Sequence, residues 1–173
     1  MAETKAAVEP WMRGTHTELP AVLRAVIHAL ELAQEDVTRW CGPLTDEEWK
    51  LRPEGLASVA FHVRHIAGSV DRLLTYAEGS QLSEEQLERM RKEDSPDAVA
   101  SEILVEFAAE LQRAEKRIRA FAVSDLETAR ALGRKALPTS VGGLLVHVAE
   151  HTSRHVGQAV LTSKLAVCRR GAF

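Results

Sequence analysis

Apolar residues recur at intervals of three and four along four stretches of this chain, separated by Pro, Gly and capping residues. The first stretch opens near Pro20, which suits a first helical turn, and carries Leu23, Val26, Leu30, Ala33, Val37 and Trp40 before Gly42-Pro43 ends it. His28 falls roughly opposite that stripe and reads as solvent-facing. The second stretch starts at Ser58, carries Val59, Val63, Ile66, Val70, Leu73 and Ala77, and stops at Gly79. The third follows Ser95-Pro96-Asp97 and carries Ala100, Leu104, Phe107, Leu111, Ala114, Ile118 and Phe121. Glu102, Glu106, Glu110, Lys116 and Arg117 lie off that seam and read as a solvated face. The fourth runs from about Val141 to Val167, with Val141, Leu145, Val148, Thr152 and Ala159 facing the core.

Short elements fill the connections. Thr45–Glu48, Ser83–Gln86 and Ser124–Glu127 each have the spacing of a capping box, and Leu82 and Leu87 flank the second as a hydrophobic staple. The helix after Ser83 is strongly charged and is expected on the surface. No stretch alternates as a strand would. The pattern predicts an all-α fold: a four-helix bundle with short extra helices in its connections. Residues 1–15 carry Pro10 and Gly14 without a sustained period. They read as an N-terminal arm, loose or packed on a partner, ahead of a bundle over residues 16–173.

The 173 residues suffice for one domain with a real core, and 45% apolar with 27% charged residues is ordinary globular composition. A net charge of -3 argues against nucleic acid as a partner. No apolar run has the length of a membrane span, and the opening residues lack a signal-peptide pattern. Cys41 and Cys168 stand far apart outside any CxxC, so neither a disulfide framework nor an activated thiol is expected, and a cytoplasmic location fits best. Ile27 and Ile103, apolar but off the main stripes, suggest a homodimer face.

The chemistry concentrates on the fourth helix. His147, His151 and His155 stand four apart, and neighbours at that spacing lie about 6 Å apart on one face. Two such imidazoles can hold one metal ion, whereas the outer pair is about 12 Å apart and cannot share it. His155 lies nearest the centre of the apolar stripe, His151 next, and His147 on its edge, which favours His151 and His155. A third ligand must come from a facing helix, where His62 and His65 are the clustered histidines. Periodicity slightly favours His62, but a site at the open end of a bundle need not follow the stripe, so both stay open.

The run His65-Ile66-Ala67 with Asp71-Arg72-Leu73-Leu74 resembles the second-helix motif of the DinB/YfiT-like superfamily. The run His151-Thr152-Ser153-Arg154-His155-Val156-Gly157-Gln158 resembles its HxxxHxGQ signature, with Val156 where many members have Arg. The resemblance spans about Leu19 to Leu165 and implies a four-helix bundle of the DinB/YfiT type. It also implies a metal triad of one second-helix and two fourth-helix histidines: His65, His151 and His155. His62 and His147 remain alternative ligands, and Gln158, one turn past His155, either supports the site from its outer shell or pairs with a neighbouring helix.

Three neutral imidazoles leave coordination positions open, the pattern of a catalytic site. All-nitrogen ligation suits one divalent transition metal, Zn or Ni before Co or Cu, over Mg or Ca. Protons compete for unperturbed imidazoles near pH 6.5, so affinity is expected to fall below about pH 6. The resemblance further implies a transferase that activates a low-molecular-weight thiol for attack on an electrophilic small molecule. The alternatives are a metal-dependent hydrolase and a non-enzymatic metal-binding helical module. Glu150 is not placed as in HExxH, which disfavours a zincin-type protease.

Overall fold

A computed structural model describes residues 8–97 and 99–170. Residues 1–7 of the expected arm, with the opening residues used to exclude a signal peptide, lie outside it. The long helices are α1 (Ala21–Asp36), α3 (Val59–Ala77), α5 (Ala100–Arg119) and α6 (Val141–Arg170). Short helices α2 (Asp46–Lys50) and α4 (Glu84–Arg91) fill two connections. The stripes read from sequence supply the core: Leu23, Val37, Val63, Ile66, Phe107, Ile118, Leu145 and Val148 are fully buried. α6 packs on α3 and α1, and α3 also packs on α5. No helix among the described residues is long and apolar enough to cross a membrane.

Local chemistry sets the boundaries. Thr45 Oγ1 accepts from Glu48 N–H at 3.3 Å while the Glu48 carboxylate accepts from Thr45 N–H at 2.9 Å, a closed capping box. Ser83 and Gln86 close the second. α1 ends in a π turn over Val37–Cys41. There Cys41 O accepts from buried Trp49 Nε1–H at 3.1 Å, which ties α2 to the end of α1. The third long helix begins at Ala100, later than the Ser95-Pro96-Asp97 signal suggests, and Asp46 Oδ1 accepts from its Ala100 N–H at 2.8 Å.

Four expectations are corrected. The segment after Ser124 is a hairpin of β1 (Ala129–Leu132) and β2 (Leu137–Ser140), antiparallel, with Leu132 opposite Leu137. Asp125 Oδ1 accepts from Glu127 N–H and makes a turn instead of capping a helix. The hairpin serves its neighbours: Arg130 donates to Ala77 O at the end of α3, and Thr128 O and Leu126 O accept from the first N–H groups of α6. Second, His28 is buried and 6% exposed, because residues 8–20 fold back over α1. Arg13 grips Glu35 through two bonds of 2.6 and 2.8 Å, and Pro10 and Leu19 are buried. Third, Ile27 and Ile103 lie in the chain's own core, at 1% and 2% exposure, which removes the residues offered to a second copy. Fourth, Glu110 is buried against Arg113 and Arg117 binds Asp71 and Glu78, so this face is not simply solvated. On charged α4, Gln86 likewise turns inward, bonding Asp71 and Thr75.

Candidate metal centre

α3 and α6 lie side by side and bring four histidines together. On α3, His62 and His65 are three residues apart. On α6, His151 and His155 are four apart and face them. His65 Nε2 lies 3.0 Å from His151 Nε2. The His155 ring centroid is 4.4 Å from that of His65 and 4.5 Å from that of His151. Ligand atoms of His65, His151 and His155 lie within 4.8 Å of one another, and the three can hold a metal ion. Tetrahedral coordination at 2.0–2.1 Å puts ligand nitrogens about 3.3 Å apart. The 3.0 Å pair would open by only a few tenths of an ångström.

Partners fix which nitrogen each ring presents. Glu93 Oε2 accepts from His65 Nδ1 at 2.7 Å, which leaves Nε2 with its lone pair turned toward His151. Ser69 Oγ, accepting from Arg72 at 3.2 Å, donates toward the same Nε2 at 3.3 Å. His155 Nδ1 meets His62 Nδ1 at 3.1 Å, so His155 also keeps Nε2 for a ligand when its Nδ1 carries the proton. His151 Nδ1 is buried without a hydrogen-bond partner. His65 thus offers Nε2, and His151 Nε2, which donates to it in this contact, becomes a ligand atom once its proton moves to Nδ1. Phe61 stacks on His65, centroids 5.3 Å apart and planes 12° apart, and limits ring rotation.

Glu93 was invisible to periodicity. It stands in the connection after α4, yet its carboxylate reaches back under α3. Oε1 takes a 2.6 Å bond from Arg72 Nη1, and both residues are buried. Gly68 makes the space: a Cβ there would come within 2.5 Å of Glu93 Oε1 and 2.6 Å of Arg72 Nη1. This is the carboxylate–histidine arrangement that orients metal ligands elsewhere. No local signal in the sequence marks Glu93.

His147 is half-buried at the rim, with Nδ1 3.3 Å from Glu150. Glu150 also pairs with Arg154. Gln158 is exposed and bonds no imidazole. A cavity of about 590 Å³ between α3 and α5 reaches Glu93 but none of the imidazoles. Cys41 is buried, which pushes its thiol up to about 12, and Cys168 is exposed and unpaired. Neither sits among these residues.

These observations meet in one family. A model of the DinB superfamily matches residues 29–159. The chain belongs to the DinB superfamily. No curated protein and no solved structure matches it. The matched span holds the α3 and α6 histidines and Glu93, so the site lies within the part of the chain that defines this DinB protein.

Burial favours the neutral form of His62, His151 and His155. Desolvation, followed by the neighbouring His155 and His65, lowers His62 to about 4. Desolvation, with His155 and His65 next, lowers His151 to about 4. His155 is lowered for the same first reason. The contribution of His151 to proton competition therefore begins near pH 4, below the pH 6 that a free imidazole implies. A stability effect follows. Between about pH 6.5 and 4 the unfolded chain takes up protons that folded His62 and His151 refuse, so stability present above pH 6.5 is lost as pH falls through this window. His62 alone accounts for at most about 3 kcal/mol. Urea unfolding of chelator-treated protein at pH 7, 5.5 and 4.5 should show a progressive loss, and His62→Gln should make it shallower while His151 keeps its share. An equal slope in His62→Gln would contradict this origin.

Proposed function

We propose that this DinB protein is a transferase that uses one divalent metal, Zn or Ni, to activate a low-molecular-weight thiol against an electrophilic small molecule. The observation that carries the reading is the convergence of three imidazole donors at a place that is only partly buried, with fewer ligands than a sealed structural site requires. The ion, when bound, would stabilise thiolate at neutral pH. The chain's own residues do the remaining work. His65, His151 and His155 ligate. Glu93 holds His65 and His62 holds His155 in the ligating tautomer. Gln158 is assigned to the outer shell, contacting the bound molecule and not an imidazole.

In the reaction, a sulfur–carbon bond forms as the bond from that carbon to its leaving group breaks. The leaving group departs with the electron pair, and the thiol proton passes to solvent. Water activation is less well served. Glu93 is committed to His65 and Arg72, and Glu150 to Arg154 and His147, so neither is poised as a general base.

The test is a rate. Metal-loaded protein is assayed with glutathione, bacillithiol and mycothiol against a chromogenic electrophile, with chelated protein as control. A metal-dependent rate with one of these thiols is expected. Absence of any such rate removes the transferase reading. Metal-dependent ester or amide hydrolysis would put the hydrolase in its place, and metal binding without turnover would leave a binding module.

A further inference from the structure

The N-terminal arm brings a second set of metal-binding side chains onto α1. His28 and Glu31 stand three residues apart on that helix, and His16 arrives from the segment that joins the arm to α1. Ligand atoms of the three lie within 4.8 Å of one another. His16 Nε2 is 2.8 Å from Glu31 Oε1, and the His16 and His28 ring centroids are 5.5 Å apart. We propose that His16, His28 and Glu31 form a second site for a divalent transition metal, which fastens the arm to α1.

Three independent observations point there. Glu31 Oε2 is buried and has no hydrogen-bond partner among the described residues. A carboxylate oxygen in that position is left short of a donor or a cation. His28 is buried, and its one hydrogen bond is to the Thr15 hydroxyl, 3.0 Å from Nε2, so it is not committed to a charged partner. His16 adopts a positive φ of 57°, a left-handed conformation that is uncommon outside glycine. That backbone turn delivers the imidazole to Glu31. Two imidazoles and one carboxylate form a donor set suited to Zn, Co or Ni.

One neighbour must yield. The Arg119 guanidinium donates to His16 Nδ1 at 2.7 Å, so the ring proton stands on Nε2, facing Glu31. Coordination through Nε2 moves that proton to Nδ1, and Arg119 withdraws to Glu18 and Glu115, which it already binds at 2.8 and 2.9 Å. No proton is lost from the ring, and the cation keeps two carboxylate partners. The site shares no residue with the centre between α3 and α6, and it does not depend on the transferase reading.

The experiment counts cobalt. The 173-residue chain without a histidine tag is titrated with Co(II) as wild type, as His151→Ala/His155→Ala, and as that variant with Glu31→Gln added. Circular dichroism of each confirms folding. Two equivalents in wild type, one in the double variant and none in the triple variant are expected. A double variant that binds none, or a triple variant that still binds one, would overturn the second site. Because His16→Ala leaves α1 intact, it should remove the same equivalent from the double variant, and retention there would equally overturn it. If instead wild type binds a single equivalent that Glu31→Gln removes and His151→Ala/His155→Ala does not, the α3–α6 centre fails and the second site stands.

Discussion

His155→Ala protein is expected to retain one metal equivalent fewer than wild type. The reason is geometric. His155 is the ring centred within 4.5 Å of both His65 and His151, and without it two donors remain. Loss of an outer-shell partner typically costs 10–100-fold in metal affinity, so loss of a ligand should exceed about 100-fold. The variant should still fold. Its structural cost is the unpaired Nδ1 of buried His62, about 1–3 kcal/mol. Elemental analysis alongside urea unfolding separates the two effects. Wild-type metal content in a folded His155→Ala protein would remove this residue from the centre.

Glu93→Ala has the largest expected effect on stability. Glu93 is 7% exposed and Arg72 9% exposed, and the carboxylate serves both Arg72 and His65. Its removal leaves a buried guanidinium without its counter-charge, which costs about 3–5 kcal/mol. It also frees His65 to rotate about its Cβ bond, with a loss of roughly 10–100-fold in metal affinity. Glu93→Gln keeps the shape but not the charge, so it should be the milder variant in both respects. Gly68→Ala should perturb the same ion pair more mildly, because the added Cβ displaces side-chain ends while the carboxylate remains. Urea unfolding in chelator reads the first effect and competitive zinc titration the second. Unchanged stability in Glu93→Ala would mean that Arg72 finds another partner.

What could be read from the sequence follows the range of the interactions. The helix stripes and two capping boxes depend on neighbours three and four residues away, and Val63, Ile66, Leu145 and Val148 are buried as their spacing predicts. The α6 histidine pair is local in the same sense. His65 required the family motif, since periodicity did not choose between it and His62. Glu93 and the burial of His28 depend on chain segments that return from a distance. Glu93 meets His65 from 28 residues away, and His28 is covered by the arm through Thr15. No periodic pattern encodes either. The hairpin escaped because Ala129-Arg130-Ala131-Leu132 lacks β-branched residues and Pro138 stands inside its second strand. Its pairing is fixed by the turn at Gly133, at φ 67°, and Ala136, at φ 48°.

The central claim is that three Nε2 atoms hold an ion with a position left open for a thiol. Cobalt-loaded protein titrated with a small thiol tests it most directly, because sulfur bound to cobalt produces a near-ultraviolet charge-transfer band. The account predicts that the band rises to saturation in wild type and in Glu31→Gln, and is absent in Glu31→Gln/His151→Ala/His155→Ala. A Glu31→Gln spectrum unchanged by every thiol, or a band that persists in the triple variant, would contradict it.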